Sequence, residues 1–204
     1  STVACRKGVC ATSQPVAASV GIDILRSGGN AIDAAVAASA MMGVVEPMSC
    51  GPGGDLFAII WIEKDRKLYG LNASGRSPFA WNREEAQKKG YSDSLPLLGP
   101  HTWSMPGCVS GWEALQKRFG KLKFKQALAP AAEYAREGFV VTEIIAGYFQ
   151  GAANDFREYP NAAETYLMDG KPPEYGQVFS NPDLSRFYEI LMRGGADEFY
   201  RGEI

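Results

Sequence analysis

A single histidine, His101, stands in the whole sequence, and its isolation removes several kinds of chemistry. A serine or cysteine triad needs a base, an orienting acid and a partnered nucleophile, and no G-x-S-x-G elbow occurs. One histidine in a loop rich in proline and glycine is ordinarily a packing or surface residue. Cys5, Cys10, Cys50 and Cys108 are scattered and form no C-x-x-C pair, so the usual zinc spacings are missing. No metal and no cofactor is expected. The thiols leave the redox compartment undecided, with the balance towards the cytosol.

Charge of one sign is also lacking. Twenty-one Lys and Arg against twenty-three Asp and Glu leave a net charge of -2, too little to draw a chain to nucleic acid or anionic lipid. The longest apolar run, Ala34 to Val45, is too short and too rich in small residues to span a bilayer. No charged-then-apolar leader opens the chain, so a soluble protein is expected. With 46% hydrophobic residues in 204, a real core can be buried, as one domain or a large part of one.

What is present begins with helix signals. Ser13 can cap, Pro15 suits a first turn, and Val16, Val20, Ile24 and Leu25 recur at helical spacing until Gly28-Gly29. Asn30 then caps Ala31 to Val45, apolar on nearly every face except at Asp33, which predicts a buried helix. The loop SCGPGGD leads into LFAIIWI, which reads as a central strand. After the polar turn Glu63 to Arg66, KLYGLNASGRSP returns as the second arm of a hairpin ending at Pro78.

Beyond Asn82 the pattern turns helical. NREEAQKKG, GWEALQKRFG, FKQALAPAAEYAREG, Thr142 to Phe156 and NPDLSRFYEILMRGG each read as helices, with Pro130 expected to kink or split the third. SLPLLGPHTWSMPGCVSG between the first two is a loop that traces a fixed path. No internal repeat occurs. The order predicts an α+β fold, a helix-rich shell on an antiparallel sheet rather than alternating βαβ units.

Three features carry candidate chemistry. The loop Gly51-Pro52-Gly53-Gly54 precedes a strand instead of opening a helix, and lacks a following Lys-Ser/Thr, so a tight turn fits better than a phosphate cradle. Asp55 either orients a substrate amine or hydrogen-bonds the turn, the second being the commoner use. Ser74 and Arg76 lie two apart on the returning strand and so share a face. A guanidinium there either clamps a carboxylate through two parallel hydrogen bonds or pairs with an internal acid, and spacing does not choose between them.

Taken in order, ATSQPVAASVGIDILRSGGNAIDAAVAASAMMGVVEP, MSCGPGGDLFAIIW, WSMPGCVSGWEAL, LAPAAEYAREGFVVTE, NPDLSRF and GGADEFYRGEI resemble the gamma-glutamyltransferase family of N-terminal-nucleophile hydrolases nearly end to end. The resemblance implies a four-layer αββα sandwich made as a precursor that cuts itself into large and small subunits. Residues 1–204 would be the N-terminal part of the large subunit, a single incomplete domain. The nucleophile would be the first threonine of the small subunit, with its own α-amine as general base, which accords with an idle histidine. Thr2, Thr12, Thr102, Thr142 and Thr165 receive no such role, no catalytic residue is expected here, and the chain alone is expected to be inactive.

The resemblance also departs in one place. Typical gamma-glutamyl-transferring members carry an arginine followed by glutamate on the returning strand, with proline four positions after the arginine, and that arginine grips the substrate carboxylate. Aligned on Pro78, this sequence has Ser74 at that position and Arg76 two residues later. A two-residue step keeps the strand face but moves the side chain about 6 to 7 Å. Arg76 and Ser74 are therefore the expected substrate-binding residues for a differently sized acidic amide, closer to the acylase and amidohydrolase branch. True gamma-glutamyl transfer or glutathione hydrolysis is the alternative, and a non-catalytic ligand-binding domain of the same fold another.

Overall fold

The computed structural model describes residues 2–204; Ser1 lies outside the described residues. The chain divides into two compact units, one comprising the N-terminal stretch to Gly51 with Glu113–Ile204, the other Pro52–Trp112.

The first unit is helical because its sequence offers long apolar stripes and little strand. Helix α1 (Pro15–Arg26) packs against α2 (Ala31–Val45). Helix α2 in turn lies against α5 (Phe124–Glu137), and α5 against α8 (Pro182–Gly194). Ala17, Val36, Ala37, Met41, Leu128, Ala131 and Leu191 are almost wholly shielded from solvent. Small residues dominate α2, so its neighbours approach closely on several sides. Tyr188 reaches across from α8 and donates its hydroxyl proton to the Ala40 carbonyl (2.9 Å), which satisfies a buried polar tip.

The expected helices form, with three local corrections. The cap of α1 is Gln14 rather than Ser13, and the Ser13 hydroxyl donates instead to Glu46 (2.8 Å). Pro130 sits inside a continuous α5. Proline removes only one intrahelical donor, and the flanking Ala127, Leu128, Ala131 and Ala132 are all buried, so packing outweighs the loss. The loop expected to run to Gly111 stops earlier, because α4 begins at Cys108 and continues to Phe119. A short ladder of β3 (Phe139–Val140) and β4 (Val178–Phe179) and the helices α6 (Glu143–Glu158), α7 (Pro160–Tyr166) and α9 (Asp197–Arg201) complete this unit.

Asp33, the one acid in α2, is wholly buried and joins the start of α2 to the segment after α4. Asn30 Oδ1 accepts from the Ile32 and Asp33 amides, and Asp33 Oδ2 accepts from the Asn30 amide (2.7 Å), a reciprocal capping box. The same carboxylate accepts from the Lys121 and Leu122 amides (3.1 Å each) and from the Gln116 side-chain amide. Burial pushes its pKa up, but the hydrogen bonds from Asn30, Leu122, Lys121 and Gln116 outweigh burial and hold it below the ordinary 3.8.

The second unit is built on an antiparallel hairpin of β1 (Leu56–Ile62) and β2 (Lys67–Ala73), with Leu56 opposite Ala73 and Ile62 opposite Lys67. A single 3-10 turn, Glu63–Asp65, joins them, and Arg66 closes it in the left-handed region. A short helix, α3 (Arg83–Lys88), follows. Period-two alternation turns Leu56, Ala58, Ile60 and Ile62 inward and leaves Phe57, Ile59 and Trp61 exposed, with Leu68 beside them.

The strand expected to be covered on both faces is therefore covered on one within this chain. Such an exposed apolar stripe on an unpaired ribbon predicts self-association of the isolated chain at micromolar concentration. Ile59→Lys with Trp61→Lys is expected to lower the sedimenting mass. A monodisperse unsubstituted chain would count against this.

Candidate functional site

The site grows from the end of the hairpin. Strand β2 stops at Ala73, so Ser74 and Arg76 lie just past the strand expected to carry them, in an irregular segment leading to Pro78. The strand ends there because the backbone leaves the ladder for other partners. The Ser74 amide donates to Asn72 Oδ1 (2.9 Å), and the Gly75 amide donates to Asp55 Oδ1 (3.1 Å). The Arg76 carbonyl accepts from the Met105 amide (3.0 Å).

A second segment thus runs alongside the first. The Ser104 hydroxyl donates to Asp55 Oδ1 (3.2 Å), and the Gly107 and Cys108 amides donate to the Gly54 carbonyl (3.1 and 3.0 Å). The two backbones meet without room for side chains: a Cβ on Gly75 would overlap the Met105 carbonyl, and one on Gly107 would overlap the Ala73 carbonyl. The glycine loop is accordingly structural. Its last carbonyl ties down the start of α4, and the next residue, Asp55, bonds two separate segments.

Asp55 is structural, but instead of bonding its own turn, the commoner use expected of it, it accepts from Gly75 and Ser104 on two distant segments. Arg76 projects from this braced frame, exposed, and forms no ion pair among the described residues, so the internal-acid alternative has no partner here. Ser74 is also exposed. Next to Arg76, Ser77 lines an open hollow of about 380 Å³ with Trp81, Arg83 and Tyr91.

His101 is a packing residue, as its isolation in the sequence implied. Its ring stacks on Trp81 with centroids 4.9 Å apart and planes 13° from parallel, and Nδ1 shares a hydrogen bond with the Tyr91 hydroxyl (3.2 Å). Among the described residues no three His, Cys, Asp or Glu side chains gather in a way that could hold a metal ion. Among the described residues no helix is long and apolar enough to cross a membrane.

Ser104, Met105 and Gly107 have no sequence signal that assigns them to the frame. Their partners Asp55, Arg76 and Gly54 lie 49, 29 and 53 positions away, beyond the reach of turn or periodicity rules.

Comparison with known proteins identifies the family. The pattern of the gamma-glutamyltranspeptidase family matches residues 17–204. The glutathione hydrolase proenzyme of Pseudomonas aeruginosa is 36% identical over 203 residues, covering 96% of this chain and 34% of that protein. The gamma-glutamyltranspeptidase of Helicobacter pylori superposes with a TM-score of 0.92 at 28% identity, over 100% of this chain and 59% of that one. The cephalosporin acylase of Bacillus halodurans superposes with a TM-score of 0.89 at 37% identity, over 98% and 39%. The chain therefore spans less than two thirds of the proteins it matches. Its helix-rich α+β structure is that of the N-terminal-nucleophile hydrolases to which it is superposed, and the chain belongs to the gamma-glutamyltranspeptidase family.

Proposed function

We propose that residues 1–204 are the N-terminal part, one incomplete domain, of the large subunit of an autoprocessed amidohydrolase. The substrate is a small amide that carries a carboxylate. A threonine on a separate small subunit attacks the amide carbonyl carbon; its α-amine takes the hydroxyl proton and passes it to the departing nitrogen, and water then releases the acid. The chain alone is inactive in this reading. Arg76 holds the carboxylate in two parallel hydrogen bonds, with Ser74 beside it.

One observation carries the proposal: an exposed guanidinium without an acidic partner among the described residues, on backbone fixed through Gly75 and the Arg76 carbonyl. Fixing the backbone lowers the ordering cost of gripping a ligand. The uncovered stripe of Phe57, Ile59 and Trp61 supports a further layer supplied by the rest of the enzyme. Gamma-glutamyl transfer or glutathione hydrolysis is the second reading, favoured by the named relative at 36% identity. The 37% match to an acylase, together with the displaced arginine, favours the first.

Arg76→Ala in the complete two-subunit enzyme tests the clamp. KM for glutaryl-p-nitroanilide is expected to rise about 10- to 100-fold with kcat within about threefold, because a charge-assisted pair made equally in ground and transition states is lost. Arg76→Lys should restore part of it. An unchanged KM would remove the clamp. Faster turnover of gamma-glutamyl-p-nitroanilide than of the glutaryl compound would favour the second reading.

A further inference from the structure

We infer that Asp55 is a positioning residue for Arg76, acting through the backbone and not by touching substrate. The inference rests on the carboxylate clamp proposed above. A single oxygen of Asp55 accepts from the amide of Gly75, the residue before Arg76, and from the hydroxyl of Ser104, the residue before Met105. Met105 in turn donates to the Arg76 carbonyl. One carboxylate oxygen therefore joins both segments immediately ahead of the bond that holds residue 76.

The bracing is needed because β2 has ended. Past Ala73 no ladder fixes the chain, and arginine has a long side chain whose head moves with any rotation of its own backbone. Gly75 and Gly107 let the segments approach but contribute no side-chain contact of their own. Asp55 supplies the lateral bond that stops residues 74–76 from sliding along Met105. Asn72, bonded to the Ser74 amide, is a lighter second tie on the same side.

The same geometry separates this role from direct binding of a substrate amine. A residue that holds an ammonium matters only for ligands that carry one. A residue that aims Arg76 matters for any ligand with the carboxylate, and its essential feature is an acceptor oxygen rather than a charge.

The experiment uses the complete enzyme and two probes, glutaryl-p-nitroanilide, which has the carboxylate and no amine, and gamma-glutamyl-p-nitroanilide, which has both. Asp55→Ala is expected to raise KM for both about 10- to 100-fold with kcat within about threefold, as expected when a binding group is misplaced by an ångström or so. Asp55→Asn keeps an acceptor oxygen and is expected to stay within about threefold of the unsubstituted enzyme. The double variant with Arg76→Ala should bind no worse than Arg76→Ala alone.

A loss confined to the amine-bearing probe, an Asn variant as impaired as the Ala variant, or additive losses in the double variant would each overturn the inference. An unchanged KM in Arg76→Ala alone would instead overturn the clamp itself. Should Asp55→Ala not fold, Asp55→Glu serves in its place: it keeps the charge but moves the oxygen by one methylene. A KM unaltered in Asp55→Glu also refutes positioning.

Discussion

Asp33→Ala is expected to lower the unfolding free energy by about 3 to 5 kcal/mol, a large share of the 5 to 15 kcal/mol that holds a typical domain. The substitution removes the acceptor of the Asn30, Lys121 and Leu122 amides and one of the two acceptors of the Gln116 side chain, which keeps the Leu122 carbonyl, around a residue that is itself wholly buried. Each buried donor left unmade costs about 1 to 3 kcal/mol, and relaxation recovers part. Asp33→Asn keeps one oxygen but turns an amino group towards donors, so it is expected to lose about 2 kcal/mol. Urea unfolding of the chain carrying the solubilising Lys substitutions at Ile59 and Trp61 reads both losses. A change below about 1 kcal/mol would mean that water replaces the carboxylate.

The acid limb of stability follows from the same residue. Because the folded pKa of Asp33 lies below its ordinary 3.8, its contribution is complete above that value and is lost as pH falls through the lowered one. The gap in stability between the unsubstituted chain and Asp33→Ala should therefore be full at neutral pH and narrow below about pH 4. A constant gap would show that this carboxyl does not titrate differently in the folded state.

How much of the fold was legible depended on whether the signal was local. Asn30, the apolar run to Val45 and Asn181-Pro182 are all local grammar, and α2 and α8 begin where those residues indicate. Ser13 misled because two neighbouring residues can each precede a proline-led helix, and a tertiary partner, Glu46, claims the hydroxyl. Of the two outcomes expected at Pro130 the split does not occur, because the rule for proline prices only the helix, while four buried alanines and a leucine on one face of α5 keep it continuous. The bulky residues of β1 specify a strand covered on more than one side, and among the described residues its face of Phe57, Ile59 and Trp61 is left exposed.

The candidate site was legible in its parts and not in their assembly. Arg76, Ser74, Asp55 and the glycine loop could each be picked out from residue type and spacing. That Asp55 bonds Gly75 and Ser104, and that Gly54 receives two amides from the start of α4, required three segments to be brought together in space. The sequence named the strand as the platform for Arg76; the platform is instead a pair of crossing loops. Only the resemblance carried by several ordered motifs pointed to a nucleophile outside these residues, since no pattern of His, Ser or Cys within them suggested a mechanism.

Gly75→Ala and Gly70→Ala make the second large contrast, because they add the same methyl group five positions apart with opposite results. At Gly70, inside β2 and opposite Ile59, an added Cβ meets nothing within 4 Å. Stability there should hold or rise by a few tenths of a kcal/mol, since alanine removes freedom from the unfolded chain. At Gly75 the new atom would coincide with the Met105 carbonyl, and the obstacle is backbone, which has no rotamer to yield. Relief requires residues 74–76 to move away from Met105, which breaks the bond to the Arg76 carbonyl and stretches the one from Gly75 to Asp55. Overpacking of this kind costs about 3 kcal/mol or more. The loss should be accompanied by a raised KM for glutaryl-p-nitroanilide in the complete enzyme, because the displaced residue is the one proposed to bind carboxylate. Equal melting temperatures for the two variants would mean that the segments are not in contact, and the frame for Arg76 would fall with that result.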